Sequence, residues 1–244
     1  MPELPEVETI KKQLQKAILK KKIERVDVFL PKLVKAPLDK FKKIVRGAKV
    51  KNVWRRAKLL GFDLDNGWTM VMHLKMTGQI IIVKRVTCNM KQKHTHLIYY
   101  FTDNSWLLHN DLRKFGYIKL VPTAKLADFF KKEKFGPEPL ENFSLDDFRV
   151  RLGKKPKSKI KPLLMDQTFI AGIGNLYADE ILFFARVRPE RKTNSLNPKE
   201  IKKIYQGIKK ILPEAIRFKG SSADIYIDAY GQKGGFVPRL KVYG

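Results

Sequence analysis

A single cysteine, Cys88, occurs in 244 residues. One thiol excludes an intramolecular disulfide and any cysteine-based zinc cluster built by this chain alone; its default role is that of a bystander. Long apolar runs are also missing. None approaches the ~20 residues of a membrane span and the N-terminus has no signal-peptide core, so a cytoplasmic protein without membrane contact is expected. Acidic residues are scarce: 24 Asp+Glu stand against 51 Lys+Arg, a formal net charge of +27. That excess is expected of a polyanion binder and puts nucleic acid first among candidate partners. What is present in quantity, 43% hydrophobic and 11% aromatic residues, excludes a disordered basic tail and supports one large or two modest domains.

The most informative stretch is Met1-Pro2-Glu3-Leu4-Pro5-Glu6-Val7-Glu8-Thr9-Ile10. If Met1 is removed, Pro2 presents a secondary amine, which can attack a carbonyl carbon and hold it as an iminium ion. An α-amino group titrates at roughly 7.7–8.0 against about 10.4 for lysine, so a useful fraction is unprotonated near neutrality. Glu3 follows directly and can move protons in the same pocket. Proline with acids also suits the first turn of a helix, so the dipeptide alone does not decide between chemistry and capping.

From Glu3 to Lys20, Val7, Ile10, Leu14, Ala17 and Ile18 recur at steps of three and four, with lysines on the remaining face. The spacing predicts an amphipathic helix that packs on a sheet and anchors a terminus that would otherwise fray. Short β segments follow over 23–29, 50–56, 59–64, 70–74, 79–84, 95–102, 106–110 and 116–121, separated by Asp65-Asn66-Gly67, Thr77-Gly78 and Asp103-Asn104. Several short strands at this spacing predict a sandwich or barrel. Phe135-Gly136-Pro137-Glu138-Pro139 cannot continue a helix or a central strand, and the domain boundary is placed here. Ser144 with Asp147 opens a helix to about Leu152; further helices are predicted over 158–165, from Asn175, and from Asn197-Pro198 to about Phe218. The expected fold class is therefore α+β in two domains: a leading helix with a β-sandwich over 1–125, a linker over 126–143 and a helical domain over 144–220.

Several side chains stand out within this frame. Arg55-Arg56-Ala57-Lys58 enters a hairpin, where three cations suit either a solvated tip or a grip on phosphates. In His73-Leu74-Lys75-Met76-Thr77-Gly78, the histidine reads as a satisfied polar residue, but a methionine at a loop tip can wedge between bases. Arg113 and Phe115 flank one lysine, so on an extended strand they point the same way, where an arginine can pair with an orphaned base while a phenylalanine stacks beside it. A surface arginine and a core phenylalanine are the plainer reading. Ile170-Ala171-Gly172-Ile173-Gly174-Asn175 places two glycines before a helix start, where backbone N–H groups can approach an anion. A dinucleotide site is excluded, because the third glycine is missing and both flanking elements are helices. What remains is a hairpin that presents Asn175 to phosphate, helped by Lys161.

Four separate stretches resemble one family in one order. Pro-Glu-Leu-Pro-Glu, Arg-Arg-Ala-Lys, His-Leu-x-Met-Thr-Gly with Asp-x-Arg-Lys-Phe-Gly, and Ile-Lys-Pro-Leu-Leu-Met-Asp leading into Gly-Ile-Gly-Asn-Leu-Tyr-Ala-x-Glu all resemble formamidopyrimidine-DNA glycosylases. Pro-Glu-Leu-Pro favours that branch over the related endonuclease VIII enzymes. The resemblance implies a base-excision repair enzyme that removes oxidised purines, 8-oxoguanine and formamidopyrimidines, and then cuts the backbone by β,δ-elimination. Its partner would be double-stranded DNA containing oxidised bases or abasic sites, bound by a monomer. Pro2 would be the nucleophile, Glu3 the acid/base and Lys58 a phosphate-gripping lysine at the catalytic centre. Met76, Arg113 and Phe115 would fill the void left by the extruded base, and His73, Lys161, Asn175 and Tyr243 would contact phosphates. Glu6, Ser221 and Ser222 would belong to the lesion pocket. The second domain would be a helix-two-turn-helix unit, and 221–244 a lesion-covering loop followed by a strand.

Two departures accompany the resemblance. Lys75 stands where the family usually has glycine, and the sequence stops before the four-cysteine zinc finger usual in the family, so no cofactor is expected in this chain and the finger is absent from the expected fold. A non-catalytic or degenerate lesion-binding protein is the competing reading. It has no need of Pro2-Glu3 together with the void-filling trio.

Overall fold

The protein is described here from a computed structural model that covers residues 1–84 and 93–243. Cys88 lies outside the described residues. Helix α1 spans Leu4–Ile18, with Glu3 as N-cap in a capping box closed by Glu6. Val7, Ile10, Leu14 and Ile18 are fully buried. Each contributes about 1.5–3 kcal/mol by leaving water, which fixes the helix and with it the start of the chain.

Eight strands follow: β1 Ile23–Val28, β2 Val50–Arg56, β3 Leu59–Leu64, β4 Trp68–His73, β5 Gly78–Lys84, β6 Thr95–Phe101, β7 Ser105–Asp111 and β8 Tyr117–Pro122. They form two antiparallel four-stranded sheets, ordered β1-β6-β7-β5 and β2-β3-β4-β8. The apolar stripe of α1 shares one core with inward residues of both sheets, among them Phe62, Met72, Leu97 and Tyr99. Strand β6 is buried along its whole length because its other face, Ile98 and Tyr100, meets Leu108 and Trp106.

The second domain has its own core around Phe148, Leu164, Tyr177, Ile181 and Ile208. Helices α4 Leu145–Gly153, α5 Ile160–Met165, α6 Asn175–Ala185 and α7 Pro198–Arg217 build it, after α2 Leu38–Val45 and α3 Leu126–Glu133 in the preceding region. Ser144 and Asn197 each accept a hydrogen bond from the backbone N–H three residues on, in complete capping boxes. These local signals are why the starts of α4 and α7 agree with the sequence reading.

Four expectations need correction. Helix α2 has no counterpart in the sequence reading; it buries only Phe41 and Val45, one turn apart, too short a period to stand out. Helix α3 lies inside the segment read as a linker and ends at Lys134 in the left-handed conformation, φ +52°. No strand forms among the described residues after 221; there is an isolated bridge between Ser221 and Gly235 and a short turn at Val237–Arg239. Residues 112–116 are not extended: Lys114 is left-handed, φ +60°, so Arg113 and Phe115 are brought together by a turn instead of strand alternation. Among the described residues no helix is long and apolar enough to cross a membrane.

Candidate active site and nucleic-acid interface

A cavity of about 520 Å³ lies where the two domains meet the N-terminus, lined by Met1, Glu3, Glu6, Lys58, His73, Met76, Asn175, Tyr177, Ser221, Tyr226 and Tyr243 among others. The N-terminus is stitched to the second domain: the Leu4 N–H donates to the Gly172 carbonyl at 3.0 Å. Met1 lines the cavity and its ammonium stands 3.9 Å from Asp224, while Pro2 is buried behind it.

The Glu3 carboxylate accepts hydrogen bonds from the Gly174 N–H at 2.6 Å and the Leu176 N–H at 3.0 Å. The glycine turn therefore does bind an anion, but that anion is a side chain of the same protein, a correction to the expectation that its backbone faces phosphate. Gly174 is the N-cap of α6, so Glu3 also sits at the positive end of that helix. A Cβ at position 174 would lie 2.5 Å from Glu3 Oε1 and 2.6 Å from Lys58 Nζ, so only glycine admits the pair. Burial pushes the Glu3 carboxyl above its usual range, held back by Lys58 and the N–H donors. Burial likewise lowers Lys58, against the pull of Glu3 and Glu6. A raised acid beside a lowered amine is the arrangement expected of groups that exchange protons near neutrality.

Glu6 lies one turn further and is fully enclosed. Its Oε1 accepts from Tyr177 Oη at 2.6 Å and from the Ser221 N–H at 2.8 Å; its Oε2 accepts from the Glu3 N–H at 2.8 Å. Burial moves Glu6 up to about 7, with the nearby Glu3 charge adding to the rise and the Tyr177 hydroxyl opposing it. Because its folded pKa lies above the unfolded one, the stability this implies is fully present below about 4.5 and is lost as pH rises through about 7. A shift of this size corresponds to an order of 3 kcal/mol. Melting temperature measured across that window is expected to fall, and Glu6→Gln to flatten the slope while lowering overall stability, since one of three N–H or O–H donors then faces an amide NH2. An equal slope in both proteins would place the titration elsewhere. Tyr177 has no role in the sequence reading; its position in the first turn of α6, with its side chain directed back over the helix start, is the signal that marks it.

Arg55 and Arg56 are neither a solvated tip nor a phosphate grip. Both bind Glu138, from the segment read as a linker, at 2.7 and 2.8 Å. Arg55 also holds Glu8 at 2.9 Å, Arg56 the Gly136 carbonyl at 2.6 Å, and Glu138 accepts the Ala57 N–H at 2.7 Å. These carboxylate and guanidinium groups are mostly buried, and Arg55 holds the Glu138 carboxyl below its usual range against burial. This network ties α1, the β2–β3 hairpin and the interdomain segment together, and fixes the turn that aims Lys58 into the cavity.

His73 accepts the Lys75 N–H on Nδ1 at 2.9 Å, which leaves the proton on Nε2. Burial, with Lys75 and Lys58 nearby, lowers it to about 3, so at neutral pH it is an uncharged donor. Lys75 is left-handed, φ +53°, a conformation that suits glycine and accounts for the glycine usual at this place in the resembling family. Met76 is 38% exposed and Phe115 53% exposed, which removes the core reading of Phe115. Arg113 joins them: its guanidinium lies 4.9 Å from the Phe115 ring centre and 3.0 Å from Met76 Sδ. The trio named from sequence is thus one contiguous exposed cluster, of which Met76 lines the cavity.

Asn175 is exposed on the first turn of α6. Lys161 pairs with Asp179 at 2.8 Å, so its charge is partly answered within the protein. Glu180, on the same helix, accepts the Lys241 and Val242 N–H groups at 2.9 Å and thereby brings Tyr243 to the cavity wall. Ser221 lines the cavity; the Ser222 hydroxyl instead donates to the Tyr226 carbonyl and accepts the Gly234 N–H, which makes it a brace of the loop. Among the described residues no group of three His, Cys, Asp or Glu is placed to hold a metal, so none of them fits the zinc of a four-cysteine finger.

Known proteins are similar to this chain over its whole length. Residues 1–118 match the family described as formamidopyrimidine-DNA glycosylase N-terminal domain, and 135–226 the formamidopyrimidine-DNA glycosylase H2TH domain. The chain is 41% identical over 244 residues to a formamidopyrimidine-DNA glycosylase of Pelotomaculum thermopropionicum, covering all of this chain and 88% of that protein. It is 42% identical over 246 residues to the Listeria monocytogenes protein of the same name, covering 100% and 89%. Among solved structures, Lactococcus lactis Fpg bound to DNA containing an abasic site is similar with a TM-score of 0.92 at 37% identity, over 99% of this chain and 88% of that one. The wild-type form of the same protein bound to DNA containing N7-benzyl-Fapy-dG gives a TM-score of 0.91 at 37% identity, over 100% and 88%.

Proposed function

As the chain belongs to the formamidopyrimidine-DNA glycosylase family, we propose that it removes oxidised purines from double-stranded DNA and then cleaves the strand as an abasic-site lyase. The observation that carries the reading is the meeting, in one cavity, of the start of the chain with a buried, backbone-held carboxyl and a buried lysine. With Met1 removed, the Pro2 nitrogen opens onto the space that Met1 fills. Its unprotonated form attacks the anomeric carbon of the extruded nucleotide. Glu3 supplies and recovers the protons of sugar-ring opening, the base departs, and a Pro2 iminium remains. The iminium acidifies the neighbouring C–H, so β- and then δ-elimination expel the two phosphates. These steps need no redox cofactor.

Lys58, Lys161, Asn175 and Tyr243 are assigned to backbone phosphates, with His73 contributing a neutral Nε2–H donor. Glu6, Ser221 and the 221–235 segment shape the lesion pocket. The net charge of +27 favours binding to the DNA backbone and supports a site of action in the cytoplasm, on the chromosome. Duplexes carrying 8-oxoguanine, a formamidopyrimidine or a pre-formed abasic site test the assignment. Glu3→Gln is expected to lower base removal by about 10²-fold or more while strand cleavage at the abasic site falls far less, because the latter starts after the base has left. Equal losses on both substrates would remove Glu3 from the base-removal step.

A further inference from the structure

The trio of Met76, Arg113 and Phe115 is carried by two loops that leave neighbouring strands of one sheet, β5 and β7, at the register pair Gly78 with Asp111. Neither loop is stiff by its own chemistry: each tip is exposed and each contains a left-handed lysine, Lys75 and Lys114. Beneath the tips, two side chains that do not line the cavity join the loops. The Thr77 hydroxyl donates to Asp111 Oδ1 and accepts the Arg113 N–H at 2.8 Å, while Asp111 Oδ2 accepts the Gly116 N–H at 2.8 Å. Asp111 is completely buried, and no cation among the described residues pairs with its carboxylate. The neighbouring His109 is also completely buried, and burial lowers it to about 4, so it is neutral and offers no ion pair. The two Asp111 oxygens thus serve the two loops, one oxygen on each.

Glycine at position 116 lets this close without displacing a neighbour: a Cβ there would lie 3.1 Å from Asp111 Oδ2 and 3.2 Å from the His73 carbonyl, tighter than ordinary contact. Position 78 is stricter and requires glycine, since its Cβ would lie 2.4 Å from the Leu74 carbonyl that its own N–H binds. A wedge that unstacks a base must carry the reaction force of the stack, so loops that yield independently lose the extrusion energy to their own deformation.

We propose that Thr77 and Asp111 are positioning residues for base extrusion, their hydrogen bond clasping the Met76 loop to the Arg113–Phe115 loop so that the trio enters the duplex as one rigid wedge. The proposal rests on the assignment of that trio to the void left by the extruded nucleotide.

Thr77→Val keeps the shape and removes the hydroxyl, leaving Asp111 Oδ1 and the Arg113 N–H unpaired; Thr77→Ser keeps the hydroxyl. On a duplex with a paired 8-oxoguanine, Thr77→Val is expected to lower single-turnover base removal about ten-fold, a size consistent with a lost buried hydrogen bond. Cleavage at a pre-formed abasic site should fall much less, and Thr77→Ser should restore the paired-lesion rate. A fluorescent base analogue opposite the lesion should report a smaller unstacking signal with the valine variant. In a Met76→Ala background the further effect of Thr77→Val should vanish, because a clasp without a wedge has nothing to hold. Asp111→Asn, which retains one acceptor, should give an intermediate loss and serves if the valine variant folds poorly by melting temperature.

Full multiplication of the Thr77→Val and Met76→Ala losses, or equal losses on paired and abasic substrates, would overturn the clasp and leave Thr77 a residue of the fold. If Met76→Ala and Phe115→Ala themselves fail to distinguish the two substrates, the wedge assignment falls, and the clasp with it.

Discussion

Borohydride added during turnover on a lesion-bearing duplex is expected to fix this protein covalently to the DNA through Pro2. The iminium between the Pro2 nitrogen and the opened sugar is reducible to a stable amine, whereas a glycosylase that activates water forms no such link. Retention of Met1 should reduce the trapped species at least about a hundred-fold, because it buries the nitrogen in an amide; Pro2→Gly should also reduce it sharply by changing basicity and placement. The geometry narrows the competing nucleophile to the two lysines that line the cavity, Lys58 and Lys75. Lys58 shares the cavity with the N-terminus, and burial lowers its pKa toward the range in which a lysine amine can attack. Peptide mapping of the trapped complex therefore has two meaningful outcomes. DNA on the N-terminal peptide supports the terminal amine, and DNA on Lys58 or Lys75 would sink it while leaving the enzyme class intact.

Replacement of Met76 or Phe115 by alanine should separate stability from activity. Both side chains are substantially exposed, so each change is expected to alter unfolding free energy by no more than about 0.5 kcal/mol. Removal of a paired lesion should nevertheless fall about ten-fold or more, since extrusion costs a few kcal/mol that these side chains offset by occupying the stack. Strand cleavage at an abasic site, where less stacking is lost, should be affected least. Comparable losses of stability and of activity on every substrate would mean that the two residues serve the fold.

Features written in short-range pattern were legible in the sequence. The stripe of Val7, Ile10, Leu14 and Ile18 specifies α1 because its 3.6-residue period survives any tertiary context. The eight strands lie where alternation and turn residues put them, and Ser144 and Asn197 start helices because a capping box closes within four residues. The residues with distinctive chemistry, Pro2-Glu3, Lys58, Met76, Arg113 and Phe115, could be named for the same reason: their meaning lies in their neighbours along the chain. The tertiary structure alone decided what those residues touch. Glu3 meets the Gly174 N–H across 171 positions, Glu6 meets Tyr177 across 171 and Ser221 across 215, and Arg55 meets Glu138 across 83. No periodicity links such positions, so whether Arg55 faces solvent, phosphate or a buried carboxylate is open until the domains close on one another. The same closure withdraws Glu3, Glu6 and Lys58 from water. Their altered protonation follows from that desolvation, which a sequence read residue by residue does not contain.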